Sequence, residues 1–127
     1  MSAEAVAMHA DLPGKFLEAI LTELRVAGLV ATQRGPTGGC RLARPAEQIT
    51  VADVLRATEG PLAHVRGERP ELITYPEGDE ILAHLWIAGR AAIRVVFEGT
   101  SLADLAAGAL PAEVQAFIDR PGARLSH

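Results

Sequence analysis

Hydrophobic residues recur at helical spacing between Pro13 and Gly28. The steps between them are one or three residues, which places them on one face of an α-helix. Pro13 suits the first turn because it has no backbone N–H to leave unpaired, and Gly28 is predicted to close the helix. A shorter alanine-rich helix is predicted after Ser2, ending near Asp11. The apolar face comprises Phe16, Leu17, Ile20, Leu21, Leu24 and Ala27. Two short helices separated by a brief turn predict a helix-turn-helix.

Two short β-strands are predicted directly after these helices. The candidates are residues 29–32 and 40–43, and the segment 34–39 between them is rich in glycine and proline. Pro45 is predicted to end the second strand. A hairpin that immediately follows a helix-turn-helix is a wing, so the first half of the chain predicts a winged helix-turn-helix.

Further helices are predicted beyond the wing. Thr50 is placed to cap a helix over residues 51–59, with Asp53 at the third helical position in a variant of the capping box. Gly60 and Pro61 end this helix. Residues 79–98 predict a long amphipathic helix, and Thr100 or Ser101 is expected to cap the first of two short helices that follow.

The long helix has a broad apolar face that one small domain does not need for its own core. A helix of about twenty residues is roughly 30 Å long, and such a face favours burial against a second copy of the chain. The predicted dimer-interface residues are Ile81, Leu82, Leu85, Trp86, Ile93, Val96 and Phe97. The expected organisation is a winged domain over residues 1–62, a connector over 63–78, and the dimerisation region over 79–127. The fold class is therefore mainly α with a small β-wing.

Charge is unevenly distributed along the chain. The formal net charge is −4, yet residues 13–44 carry five basic side chains against two acidic ones. A positive region on an acidic body is typical of a nucleic-acid surface. No catalytic triad, phosphate-binding loop or metal-ligand spacing occurs in the sequence, so an enzyme is not expected. Cys40 is the only cysteine, which excludes an intrachain disulfide and favours a cytoplasmic location.

Two stretches give the chain a resemblance to a known family. With the predicted order of elements, "LPGKFLEAILTELRVAGLVATQRGPTGGCRLAR" and "ITVADVLRATEGPL" resemble the Rrf2 family of bacterial transcription regulators over about residues 2–115. The resemblance implies a winged-helix homodimer whose long helices cross and which binds pseudo-palindromic operator DNA. Family members usually begin with one further helix before the one at Ser2. Here that helix is expected either to be missing or to be left out because the gene model starts late. The iron–sulfur members carry three cysteines in the connector, and residues 63–78 have none, so no cofactor is expected.

The glycine-rich hairpin and the start of the preceding helix are the predicted DNA-binding elements. Arg34 is predicted to enter the minor groove, where the negative potential is enhanced over narrow A·T tracts, while Arg41 and Arg44 contact phosphates. Lys15 is placed to meet a phosphate or guanine, and Glu18 to accept from cytosine. The full predicted set is Pro13, Gly14, Lys15, Phe16, Glu18, Arg34, Gly35, Gly38, Gly39, Arg41 and Arg44.

Each of these residues also has a structural interpretation. The arginines could be ordinary solvated residues of a surface hairpin, and Glu18 a charge favoured by the helix dipole. Phe16 could be half-buried in the core. Cys40 is interpreted as a small residue at a strand start, with a redox role as the alternative.

The sequence thus predicts a homodimeric DNA-binding transcriptional regulator, with repression as the expected mode and a small-molecule effector as a possible further partner. The alternative is a winged-helix module for protein interaction or ligand sensing that does not bind DNA directly. Salt-sensitive DNA affinity would distinguish the two hypotheses.

Overall fold

The structure, a computed structural model, describes residues 13–35, 39–62 and 80–126. Within these ranges the chain forms five α-helices, a 3-10 turn and one two-stranded antiparallel sheet. In chain order they are α1 (Gly14–Val26), β1 (Val30–Gln33), β2 (Gly39–Leu42), the 3-10 turn (Ala46–Gln48), α2 (Val51–Glu59), α3 (Glu80–Glu98), α4 (Leu102–Ala107) and α5 (Ala112–Ile118). The helix predicted after Ser2 and the connector at 63–78 lie outside the described residues. Among the described helices, none has both the length and the apolar character to cross a lipid bilayer.

Helix α1 starts one residue later than predicted. Pro13 is the N-cap residue, with extended backbone and no side-chain cap, and Gly14 is the first helical residue. The carbonyl of Pro13 already accepts the first helical hydrogen bond from the N–H of Leu17, at 3.1 Å. The prediction of Pro13 within the first turn was therefore wrong by one position, because proline's fixed φ is compatible with both places.

Gly28 closes α1 as predicted. Its φ is 80°, in the left-handed region that favours glycine. The N–H of Gly28 donates to the carbonyl of Arg25 at 3.0 Å, and that of Leu29 donates to the carbonyl of Leu24 at 2.9 Å. This pair of bonds is the Schellman motif, which satisfies carbonyls that the helix end would leave unpaired.

The wing is the hairpin of β1 and β2. The two strands pair in antiparallel register from Val30 opposite Leu42 to Gln33 opposite Gly39. Strand β1 begins one residue later than predicted and β2 one residue earlier. Residues 36–38 of the connecting turn, with Gly38 among them, lie outside the described residues.

Helices α2 and α4 begin with the same device. The Thr50 side chain accepts from the N–H of Asp53, and the Asp53 side chain accepts from the N–H of Thr50, both at 3.0 Å. Ser101 and Asp104 repeat this arrangement at α4. The capping box at Thr50 is confirmed, and of the two candidates for the second cap the structure selects Ser101.

The core lies where the two capped helices meet. Ile49 is fully buried, and so is Ala52, the second residue of α2. The N–H of Val51 donates to the carbonyl of Thr100, and the N–H of Leu102 donates to the carbonyl of Ile49, both at 2.9 Å. The two bonds form an antiparallel bridge between Thr50 and Ser101. We call this bridge the clasp. It joins the region after the wing to the region after the long helix.

Helix α3 contributes no fully buried residue to this core. It contacts α2 and α5, but most of its apolar residues are exposed in the described part of the protomer. The prediction of a long helix ending at Glu98 is confirmed.

Candidate nucleic-acid interface

The start of α1 presents a row of exposed side chains anchored by one buried residue. Leu17 is buried, while Gly14, Lys15 and Glu18 around it are exposed. The first turn contains no acidic residue, so Lys15 and the positive end of the helix dipole are not neutralised there. Such a terminus attracts phosphate groups.

Phe16 is partly covered and is not among the fully buried residues of the core. It is 56% exposed, so a little under half of its surface is covered and the half-buried interpretation stays open. A large aromatic exposed beside Lys15 is available for contact with a partner.

Glu18 lies beyond the first turn of α1. The interaction of a carboxylate with the helix dipole falls off within that turn, so the dipole interpretation is weakened. The Thr22 hydroxyl donates a hydrogen bond to the backbone carbonyl of Glu18 at 2.8 Å. This bond does not use the Glu18 carboxylate.

Arg34 and Gly35 directly follow β1, and both are exposed. Arg34 is thus the first residue of the turn, with the partly exposed Gly39 opposite Gln33 closing it on the other strand. Gly35 has a φ of 107°, which only glycine adopts readily. The turn can therefore change direction sharply next to the arginine.

Arg41 and Arg44 differ in their surroundings. Arg41 is exposed on β2 opposite Ala31, and its guanidinium Nη1 lies 3.4 Å from the carbonyl of Leu42. Arg44 follows the wing, with Nη2 3.9 Å from a carboxylate oxygen of Asp53. An exposed pair at that distance is weak, so it leaves Arg44 able to exchange the carboxylate for a phosphate.

Leu29 joins the wing to α1, a role that the sequence analysis missed. Its N–H bonds to the end of α1 and its carbonyl accepts from the N–H of Ala43 at 2.9 Å, while its side chain is buried. One residue therefore fixes the helix and both strand ends to each other. The Gly28–Leu29 pair was a visible signal, because a hydrophobic residue after a C-terminal glycine often packs back on its helix.

The predicted dimerisation residues are exposed over most of α3. Ile81, Leu82, Leu85, Trp86 and Ile93 are all exposed, with Leu85 at 63%. Val96 and Phe97 are only partly exposed, in the part of the helix nearest α4. Val95, which was not predicted, is also exposed.

An open cavity of about 270 Å³ lies beside the wing. Its lining residues come from the end of α1, the end of the wing and α2, and none comes from α3: Ala27, Leu29, Arg44, Asp53, Arg56 and Ala57.

No group of three or more potential metal ligands occurs among the residues that the structure describes. Cys40 is a partly exposed residue of β2, opposite Thr32 in the wing. The connector, to which the prediction about an iron–sulfur cluster refers, lies outside the described ranges.

Comparison with known proteins identifies the family of this fold. Residues 1–108 match the sequence profile of Rrf2, described as an iron-dependent transcriptional regulator. The chain belongs to the Rrf2 family. The resemblance drawn from the wing and capping motifs is thereby confirmed. Membership of a family of transcriptional regulators supports the function of a DNA-binding regulator.

Relatives with known names support the same conclusion. A protein of Mycobacterium tuberculosis named as an HTH-type transcriptional regulator is 46% identical over 108 residues, which cover 85% of this chain and 67% of the relative. The HTH-type regulator CymR of Bacillus subtilis is 34% identical over 105 residues, covering 83% of this chain and 71% of CymR.

Solved structures confirm the winged-helix fold. The structure of CymR, the global cysteine regulator of B. subtilis, superimposes with a TM-score of 0.71 at 32% identity, covering 85% of this chain and 78% of that one. The structure of IscR from T. potens gives a TM-score of 0.65 at 29% identity, covering 85% of this chain and 69% of that one. The predicted fold class, mainly α with a small β-wing, is confirmed.

Proposed function

We propose that this Rrf2 protein is a homodimer that binds a palindromic operator and represses transcription from it. The observation that carries the proposal is that α3, a helix of 19 residues, buries no residue fully within its own protomer. A helix with a wide apolar face is stable in water only when that face is covered.

A second copy of the chain is the partner that best fits the apolar face of α3. In a two-fold symmetric dimer each subunit offers the same surface to the other, so one self-complementary apolar helix suffices. Leu85 lies four residues before Gly89, Trp86 three residues before it, and Ile93 four residues after it. Residues three or four apart lie on the same face of a helix, so these side chains form one continuous apolar stripe with Gly89 at its middle. An added Cβ at Gly89 would meet no atom within 4 Å inside the protomer, so the backbone is open to close approach at the middle of the stripe.

The DNA-binding part of the proposal is supported by exposure and charge at the start of α1 and on the wing. Lys15, Arg34 and Arg41 are all exposed, and Leu29 fixes the wing to the end of α1. In a winged helix-turn-helix the second helix enters the major groove, and an arginine of the wing can enter the adjacent minor groove. Two copies related by a two-fold axis would then bind two half-sites of a palindrome.

We further infer that the protein works without a cysteine-ligated iron–sulfur cluster, although its family is described as iron-dependent. Such clusters are held mainly by several thiolates, and this chain has a single cysteine, which lies in the wing. Iron content and visible absorption of anaerobically purified protein test the inference. Stoichiometric iron with a cluster absorption band would overturn it.

Selection of DNA by the purified protein tests the proposed function. The protein is incubated with sheared genomic DNA, and retained fragments are sequenced and titrated at two salt concentrations by fluorescence anisotropy. We expect fragments that share a palindrome, with affinity falling as salt rises. Absence of salt-sensitive DNA binding would instead indicate a protein-interaction or ligand-sensing module. Repression is tested separately, with a promoter reporter that contains the selected fragment.

A further inference from the structure

One ion pair links the winged region to the end of the long helix. Arg56 lies in the last turn of α2, and its Nη2 donates a hydrogen bond to the Glu98 carboxylate. Glu98 is the last residue of α3, and the two residues are 42 positions apart in sequence. The pair therefore links a helix that precedes the connector in the sequence to a helix that follows it.

Arg94 also approaches Glu98, with its Nε 3.7 Å from the same carboxylate oxygen. This second pair lies within α3, four residues apart along the helix. It offers a built-in comparison, because removing Arg94 takes a positive charge away from Glu98 without breaking any link to α2.

The clasp is a second attachment between the same two regions. It holds the first residue of α2, Val51, to the carbonyl of Thr100, only two residues beyond Glu98. Arg56 lies six residues after Thr50 in sequence, which corresponds to about 9 Å along a helix. Helix α2 is thus attached at its start by backbone hydrogen bonds and near its end by a side-chain pair.

Two separated attachments restrict a motion that one would allow. Helix α2 also packs against α3, but the clasp fixes only its first turn, so its far end could still shift along α3. The Arg56–Glu98 pair opposes that shift from the far end of α2. Because α1 contacts α2 and the wing is joined to α1 through Leu29, the orientation of α2 is passed on to the DNA-binding elements.

We propose that Arg56 and Glu98 are positioning residues that set the spacing of the two operator half-sites. The proposal rests on the proposed function, a dimer held together by α3. In such a dimer, the angle between α2 and α3 decides how far apart the two α1 helices lie. A displacement of about 3.4 Å between them corresponds to one base-pair step along DNA, so a small swing changes the preferred spacing.

The pair acts on selectivity more than on affinity. Both side chains are partly exposed, at 36% for Arg56 and 45% for Glu98, and exposed ion pairs contribute little energy individually. We therefore expect removal of the pair to lower discrimination between half-site spacings by about two- to five-fold, with the preferred site still bound.

The test uses the full chain and a set of duplexes that differ only in half-site spacing. The selected operator is compared with versions shortened or lengthened by one and two base pairs. The proteins are the parent, Arg56→Gln, Glu98→Gln and the charge exchange Arg56→Glu with Glu98→Arg. Arg94→Gln is the matched control, and thermal unfolding shows that each variant is folded.

The expected result is a narrow spacing preference in the parent, a broader one in the two single variants, and recovery in the charge exchange. Arg94→Gln is expected to keep the parent's preference. Single variants with the parent's spacing profile would overturn the proposal while leaving the dimeric regulator intact. A parent that binds no palindrome, or binds it as a monomer, would overturn the proposed function and this inference with it.

Discussion

Thr50 and Ser101 cap two different helices and also pair with each other across one antiparallel bridge. Each is followed three positions later by an aspartate that completes a capping box. The two backbone bonds of the clasp relate Ile49–Val51 to Thr100–Leu102 by a local two-fold arrangement. Both helices therefore start from one shared point. The side-chain bonds satisfy the N–H groups of the cap residues and the aspartates, and the backbone bonds satisfy those of Val51 and Leu102.

Removal of either cap is expected to destabilise the fold. Thr50→Ala and Ser101→Ala should each lower the free energy of unfolding by about 1 kcal/mol, because the N–H of the third helical residue loses its acceptor. Urea unfolding followed by circular dichroism measures the change. The matched control is Thr22→Ala, since the exposed Thr22 hydroxyl bonds back to its own helix and such bonds add little stability. If the two cap variants are as stable as the Thr22 variant, the role given to the capping boxes is contradicted.

Substitution of Gly28 tests the junction between α1 and the wing. Gly28→Ala should lower the free energy of unfolding by about 1–2 kcal/mol, because a Cβ is unfavourable in the left-handed conformation. Gly14→Ala is the comparison, as Gly14 lies at the first helical position with no atom within 4 Å of an added Cβ. That variant should be as stable as the parent or slightly more so. Equal stability of the Gly28 and Gly14 variants would show that the Schellman motif does not need glycine here.

A charge placed on the α3 stripe is expected to separate the dimer. In Leu85→Lys an exposed apolar side chain is replaced by an ammonium group that a dimer interface would have to desolvate. Sedimentation equilibrium should show a large increase in the dissociation constant. Val26→Lys is the matched control, because Val26 is an even more exposed apolar residue, at 82%, on a different helix. The interface is misplaced if the Val26 variant dissociates and the Leu85 variant does not.

Arg34 is expected to contribute to operator binding. Arg34→Ala should weaken binding by about 1–3 kcal/mol, the range of a good specific contact, while the dimer stays intact. Electrophoretic mobility shift with the selected operator measures the loss. Arg124→Ala removes an exposed charge near the end of the chain and should leave affinity close to that of the parent. If Arg34→Ala binds the operator with the parent's affinity, Arg34 does not contribute to the DNA interface.

The local structure was predictable from sequence where its cause is local. The capping box of Thr50 and Asp53, the glycine end of α1 and the length of α3 all depend on residues within a few positions of each other, and all are confirmed. The strand limits moved by one residue because the alternation in four-residue strands is too short to fix a register.

Contacts between distant parts of the chain have no signal in the sequence comparable to that of the caps and helix ends. The Thr50–Ser101 bridge and the Arg56–Glu98 pair join segments separated by the connector, and neither periodicity nor composition specifies such pairs. Arg44 is a similar case, because its approach to Asp53 depends on how the wing packs against α2. The DNA contacts of Lys15, Arg34 and Arg41 depend on a partner molecule, so they stay a prediction.

The dependence of operator affinity on salt tests the central claim most directly. If each protomer neutralises about four phosphates, the logarithm of the binding constant should fall with the logarithm of salt concentration with a slope of roughly −7. The titration should also saturate at two chains per palindrome. A flat salt dependence, or saturation at one chain per duplex, would contradict a dimer that binds DNA through a cationic wing and the start of α1.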